Sequence, residues 1–195
     1  GRLFAAGGFD ENNAVLATVE MFDPRNGEWT ATTQLSDGRS GCRASLHPAG
    51  NRVLLTGGYN ADHEILGTVE EYNPETDTWS ILPQMKTPRY DHSATVIKPP
   101  GDRGKLLVAG GTDSRQVLLQ SAEIFDLTTK QWTLLKPMSN PRDQCSACAL
   151  SEDTVVGLGG SLSQEARKKT PRSVNRHDKA SNRGFRGGGN GPLAS

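Results

Sequence analysis

Arg52-Val-Leu-Leu-Thr-Gly-Gly58 is a short apolar run that ends in a glycine pair, and the same arrangement recurs along the chain. The pairs are Gly7-Gly8, Gly57-Gly58, Gly110-Gly111 and Gly159-Gly160, with second glycines 50, 53 and 49 residues apart. Twelve residues after the first three pairs stand Glu20, Glu70 and Glu123, and two residues further come Phe22, Tyr72 and Phe125. Nine residues after each glutamate is a tryptophan (Trp29, Trp79, Trp132), and ten after that an arginine (Arg39, Arg89, Arg142). Markers at fixed offsets in three copies define a tandem repeat of about 50 residues.

Each unit reads as four strands. Strand A follows the arginine (42–47, 92–98, 145–150), and strand B leads into the double glycine (3–6, 52–56, 105–109, 154–158). Strand C carries the glutamate and the aromatic residue (18–22, 68–72, 121–125), and strand D begins at the tryptophan. Turn chemistry separates C from D, as in Asp23-Pro-Arg-Asn-Gly27 and Asn73-Pro-Glu-Thr-Asp77. Within Thr68–Tyr72 the two-residue period puts Val69 and Glu71 on one face and Glu70 and Tyr72 on the other. Composition agrees: 34% of the 195 residues are hydrophobic, and 22 glycines and 11 prolines favour a turn-rich all-β chain over a helical one.

The pattern resembles the kelch repeat, whose units are the four-stranded antiparallel blades of a β-propeller. The resemblance covers residues 1–160 and implies an incomplete kelch-type propeller, about three blades plus a partial one. Propellers close with four to eight blades, so the chain is expected to be part of a longer protein or to self-associate to complete the ring. Most markers are expected to be structural. Glycines supply positive φ or close approach, tryptophans fill the space between blades, and glutamates satisfy backbone N–H groups.

The net charge of zero hides two opposite parts. Residues 161–195 hold eight basic residues against two acidic ones, including Arg183-Gly-Phe-Arg-Gly-Gly-Gly189, so residues 1–160 carry the compensating negative excess. The tail has too few apolar residues to bury a core and is expected to be disordered, and one short Arg-Gly run is weak support for nucleic-acid binding. Cys42, Cys145 and Cys148 make a poor disulfide framework. On a strand, Cys145 and Cys148 point to opposite faces, against a metal or redox pair. Together with the absence of an Asn-x-Ser/Thr acceptor, this leans towards a cytoplasmic protein. No apolar run is long enough to cross a membrane as a helix.

No constellation for catalysis is visible: the sequence lacks Gly-x-Ser-x-Gly, a phosphate loop and His-Glu-x-x-His, and His47, His63 and His92 fall at different places in the repeat. No enzyme activity, cofactor or metal is therefore expected. The alternatives are a fragment of a galactose-oxidase-like propeller enzyme or of a secreted microbial kelch protein. Met85-Lys-Thr-Pro-Arg89 and Met138-Ser-Asn-Pro-Arg142 resemble the Met-x-x-x-Arg segment of kelch-like adaptors of cullin ubiquitin ligases. That resemblance implies a protein- or peptide-recognition module whose binding face carries Arg39, Arg89, Arg142, Phe9 and Tyr59, with Thr112 replacing the aromatic residue in the third copy. An arginine rim would suit an acidic peptide. The competing role for the arginines is a salt bridge within or between blades. From composition alone, limited proteolysis is expected to trim the chain back to about residue 160 and leave the repeats intact; a protected tail would contradict this.

Overall fold

The computed structural model describes residues 1–161 apart from 49, 150, 152 and 153. The described residues form thirteen strands and no helix. The first sheet holds β1 (Leu3–Ala6), β2 (Val19–Asp23) and β3 (Glu28–Ala31). The second holds β4 (Arg43–Leu46), β5 (Val53–Thr56), β6 (Val69–Asn73) and β7 (Thr78–Leu82). The third holds β8 (Ser93–Ile97), β9 (Lys105–Ala109), β10 (Ala122–Asp126) and β11 (Gln131–Leu134), and the last pairs β12 (Asp143–Ala149) with β13 (Val155–Ser161). Within each sheet consecutive strands pair antiparallel. These are the blades of an incomplete kelch-type propeller, in the strand order expected from the repeat. The tail expected to be disordered lies, beyond Ser161, outside the described residues.

The blades stack face to face, and the core lies between them. Leu54, Val69 and Met85 meet Leu106, Val108, Phe125, Leu127 and Trp132 between the second and third blades. Leu55 packs with Val19 and Leu35, flanked by Phe4, Ala6 and Trp79, between the first and second. The two faces of β6 divide as the alternation requires: Val69 joins the third blade, and the Tyr72 ring lies tilted against Phe4 of the first, with centroids 5.4 Å apart. The A strands are innermost. β4 packs beside β8 and β8 beside β12. The Asp91 N–H donates to the Gly41 carbonyl at 2.8 Å and the Gln144 N–H to the Asp91 carbonyl at 2.7 Å, a backbone chain linking three successive units.

The double glycines mark where one blade's backbone passes under the next. A Cβ on Gly57 would lie 2.3 Å from the Arg89 carbonyl oxygen, and one on Gly111 2.5 Å from the Tyr90 carbonyl oxygen. Both have positive φ, so only glycine meets both conditions. In the fourth unit β13 runs through its glycine pair, beyond the expected end at 158. The reason is the bridge that follows each pair. Ser40↔Tyr59 and Tyr90↔Thr112 are isolated in the second and third blades, whereas the equivalent Asp143↔Ser161 joins a continuous ladder.

The tryptophans are graded by what precedes them. The Trp132 indole N–H donates to the Pro83 carbonyl at 2.8 Å and the Trp79 N–H to the Thr33 carbonyl at 2.9 Å, each in the segment leaving the preceding blade. Trp132 is 8% exposed; Trp29, with no blade ahead of it among the described residues, is 51% exposed. Trp132→Ala is therefore expected to cost about 3–5 kcal/mol in a urea melt. Trp29→Ala should cost less than half as much, and equal costs would contradict the inter-blade role.

Candidate functional site

The repeat arginines tie successive blades together. The backbone of Arg89 belongs to the second blade, where its carbonyl accepts from the Gly58 N–H at 2.9 Å and its N–H donates to the Leu66 carbonyl at 3.2 Å. Its side chain enters the third blade. There Nη2 lies 2.8 Å from Glu123 Oε1, and Nη1 donates to the carbonyls of Gly110 at 2.7 Å and Ser121 at 3.2 Å. Glu123 also accepts from the backbone N–H groups of Lys86 at 2.7 Å and Thr87 at 2.9 Å. Arg39 repeats the arrangement one blade earlier, reaching from the first blade to Glu70 and to Thr68 Oγ1 at 2.9 Å in the second. The Arg89–Glu123 pair satisfies the general condition for burying charge, a partner together with further hydrogen bonds, whereas in the Arg39–Glu70 pair Oε2 of Glu70 is buried without a hydrogen-bond partner. Burial pulls the Arg89 guanidinium below its ordinary value, and the hydrogen bond and charge of Glu123 oppose that pull.

Arg39 and Arg89 are 1% and 0% exposed. This corrects the expectation that they rim an accessible pocket: their donors are spent inside the protein, and the geometry is that of the inter-blade salt bridge. Arg142 is half-buried, with its backbone held in the same way by Gly111 and Leu119. Glu20, the first of the three glutamates, is exposed.

The residue three places after each arginine is Cys42, His92 or Cys145. A Cβ on Gly58, Gly111 or Gly160 would lie 3.1, 2.8 or 2.9 Å from the Cβ of that residue, so all three pack against the second glycine of their own unit. All three cysteines are free thiols, with Cys145 buried and Cys148 exposed, which matches side chains on opposite faces of a strand. Burial pushes the Cys42 thiol up. His92 is wholly buried, and its Nε2 lies 2.8 Å from Thr56 Oγ1. Burial, aided by Arg89 and Arg43, lowers its pKa to about 3.

The aromatic candidates do come together. Phe9 and Tyr59 have ring centroids 6.0 Å apart, and Tyr90, which follows Arg89 and was not singled out from sequence, stands edge-on to Tyr59 at 5.2 Å. His63 stacks beside Tyr59 at 6.5 Å. With Ile65 and Gln116 these residues wall an open cup of about 250 Å³ at the end of the blades where the B–C loops lie. The loops are built alike. Asp10, Asn60 and Asp113 each accept two loop N–H groups through Oδ1, between 2.7 and 3.1 Å, in an Asx-type turn. That turn places Asn13, His63 and Gln116 at φ near 60°, all at one register. The Tyr90 hydroxyl donates to Gln116 Oε1 at 2.8 Å, joining neighbouring blades across the cup. Tyr90 was legible in principle, because its register is one residue past the arginine.

Among the described residues no cluster of His, Cys, Asp and Glu could hold a metal ion, and no helix is long and apolar enough to cross a membrane. A family profile described as the KLHDC2/KLHL20/DRC7 Kelch-repeats domain matches residues 1–173. The chain belongs to the kelch-repeat family. It is 31% identical over 184 residues to the human "Kelch-like protein 34", a match covering 91% of this chain and 27% of that protein. A 49-residue stretch is 39% identical to the Arabidopsis thaliana "F-box/kelch-repeat protein SKIP20", covering 25% of this chain and 12% of the relative. The chain thus spans about a quarter or less of these relatives. Among solved structures, that titled "Structure of YjhT" superposes with a TM-score of 0.70 at 18% identity, covering 86% of this chain and 58% of the other, and shows the fold.

The buried imidazole makes stability depend on pH. His92 stays neutral in the folded chain down to about pH 3, whereas the unfolded imidazole takes up a proton near 6.5. Unfolding therefore binds a proton between those values. The stability linked to His92 is full above pH 6.5 and is lost as pH falls towards 3. His92→Cys, the residue used at this register in the neighbouring units, is expected to abolish a slope that approaches about 1.4 kcal/mol per pH unit below pH 6. Denaturant melts of both proteins at pH 7, 6 and 5 check this, and parallel pH profiles would contradict it.

Proposed function

We propose that the chain is the partner-recognition part of a larger kelch-repeat protein, binding a protein or peptide at the face formed by the B–C loops, without catalysis. The observation that carries this reading is the cup of Phe9, Tyr59 and Tyr90. Phe9 is 46% exposed although it belongs to an ordered bridge with Val15. Large aromatic side chains held rigidly at a surface give binding area at low entropic cost, which is why they anchor protein interfaces.

The F-box/kelch relatives support placing such a module in a ubiquitin-ligase adaptor, where the repeats select a substrate and other domains supply the ligase. The free thiols Cys42, Cys145 and Cys148 support a reducing, cytoplasmic setting. Glu20 and Trp29, exposed where Glu70, Glu123 and Trp132 are buried, support the completion of the ring by further blades, from the same polypeptide or another copy.

A photo-crosslinking amino acid at position 9, compared with one at Thr76 in the C–D turn at the opposite end of the blades, tests the choice of face. Adducts to a partner protein are expected from position 9, competed away by unmodified chain. Adducts from position 76 alone, or from neither, would overturn the assignment.

A further inference from the structure

The charge around the cup says what kind of partner it fits. Two of the three arginines that would have made this face basic are withdrawn from it: Arg39 and Arg89 are buried in their pairs with Glu70 and Glu123. What the loops expose instead is acidic. The segments Asp10–Asn13, Asn60–Glu64 and Asp113–Gln116 carry Asp10, Glu11, Asp62, Glu64 and Asp113 against Arg115 alone. Asn60 Nδ2 donates to Asp37 at 3.2 Å and to Glu64 at 3.1 Å, which gathers both beside the second loop.

A further carboxylate, Asp91, lies beside the two tyrosines. A Cβ on Gly41 would lie 3.2 Å from Asp91 Oδ1, 3.3 Å from Tyr90 Cβ and 3.4 Å from Tyr59 Cε1, so the acid and the two rings converge on one point. Burial pushes the Asp91 carboxyl up and Asp143 reinforces this, while the positive charge of Arg43 and a hydrogen bond from Gln144 oppose it. Asp143 lies on the same side, with Oδ2 3.4 Å from Thr112 Oγ1.

Aromatic faces carry negative potential and attract cations, and carboxylates at their edge add to that attraction. We infer that the Phe9–Tyr59–Tyr90 cup takes a cationic side chain, an arginine or lysine of a partner peptide, in place of the acidic peptide an arginine rim would have selected. The inference rests on the B–C loop face being the recognition surface. It assigns the class of residue that face reads. The rings hold the flat or alkylated cation, Asp91 and the loop carboxylates complement its charge, and Gln116 and His63 bound the opening.

Two-dimensional NMR of the ¹⁵N-labelled 195-residue chain, titrated with Nα-acetyl-arginine methylamide, tetramethylammonium or Nα-acetyl-glutamate methylamide at constant ionic strength, tests it. Saturable shifts at Phe9, Tyr59, Tyr90 and Gln116 are expected with both cations and not with the glutamate derivative. Tyr59→Leu should weaken cation binding at least fivefold. Gln116→Arg, an exposed loop change that sets a positive charge at the mouth of the cup and gives up the hydrogen bond from Tyr90, should abolish it. Shifts with the glutamate derivative at these residues, cation shifts elsewhere, cation affinity unchanged in Gln116→Arg, or no binding by either cation would overturn the inference. If cross-links from position 9 persist in any of those cases, the recognition face stands and only its cationic preference fails.

Discussion

The structure depends on one joint used twice: an arginine whose backbone is fixed in one blade and whose guanidinium is buried against a glutamate in the next. Neither blade could keep its half alone. A bare Glu123 would have no counter-charge, and an Arg89 turned to solvent would take its donor from the Gly110 carbonyl and one of two donors from the Ser121 carbonyl. Burying unpaired charge costs several kcal/mol, so the joint works as an all-or-none register lock between blades. The surrounding contacts follow from it. Seating the arginine brings its carbonyl against the first glycine of the pair, which excludes a side chain there, and it aligns the next tryptophan N–H with a carbonyl of the departing segment.

The same joint explains the chain's two ends. Glu20 and Trp29 carry the receiving half on the first blade and are exposed, while Glu70, Glu123 and Trp132 are buried. The gradient is a property of position in the stack, since the residues and their strand registers are the same in each copy. In a repeat architecture stability is close to a sum of units and their interfaces, so an unpartnered receiving face withholds an interface term without disturbing the blade itself.

Much of this was readable in advance, because a repeat prints its constraints several times over. The strand order, the alternation of Val69 and Tyr72 and the opposed cysteines all followed from period and offset. The arginines were harder, since a fixed register is what either a ligand rim or an inter-blade lock would produce; only burial separates the two. Tyr90 escaped notice because its counterparts are Ser40 and Asp143, so no repetition flagged it. The cup is made by the positions where the copies differ, and those are the positions that a reading based on sameness passes over. Phe9, Tyr59 and Thr112 vary at one register, and Asn13, His63 and Gln116 at another. The scaffold holds its backbone constant through the Asx turns and varies the side chains presented on it, so recognition is expected to reside there.

A double-mutant cycle on Arg89→Met and Glu123→Leu, followed by urea melts, addresses the joint directly. Each single change is predicted to cost about 3–5 kcal/mol, and the double change markedly less than their sum, because the second substitution removes the orphaned charge left by the first. Single changes that leave stability untouched, or costs that add to within about 0.5 kcal/mol, would contradict the account.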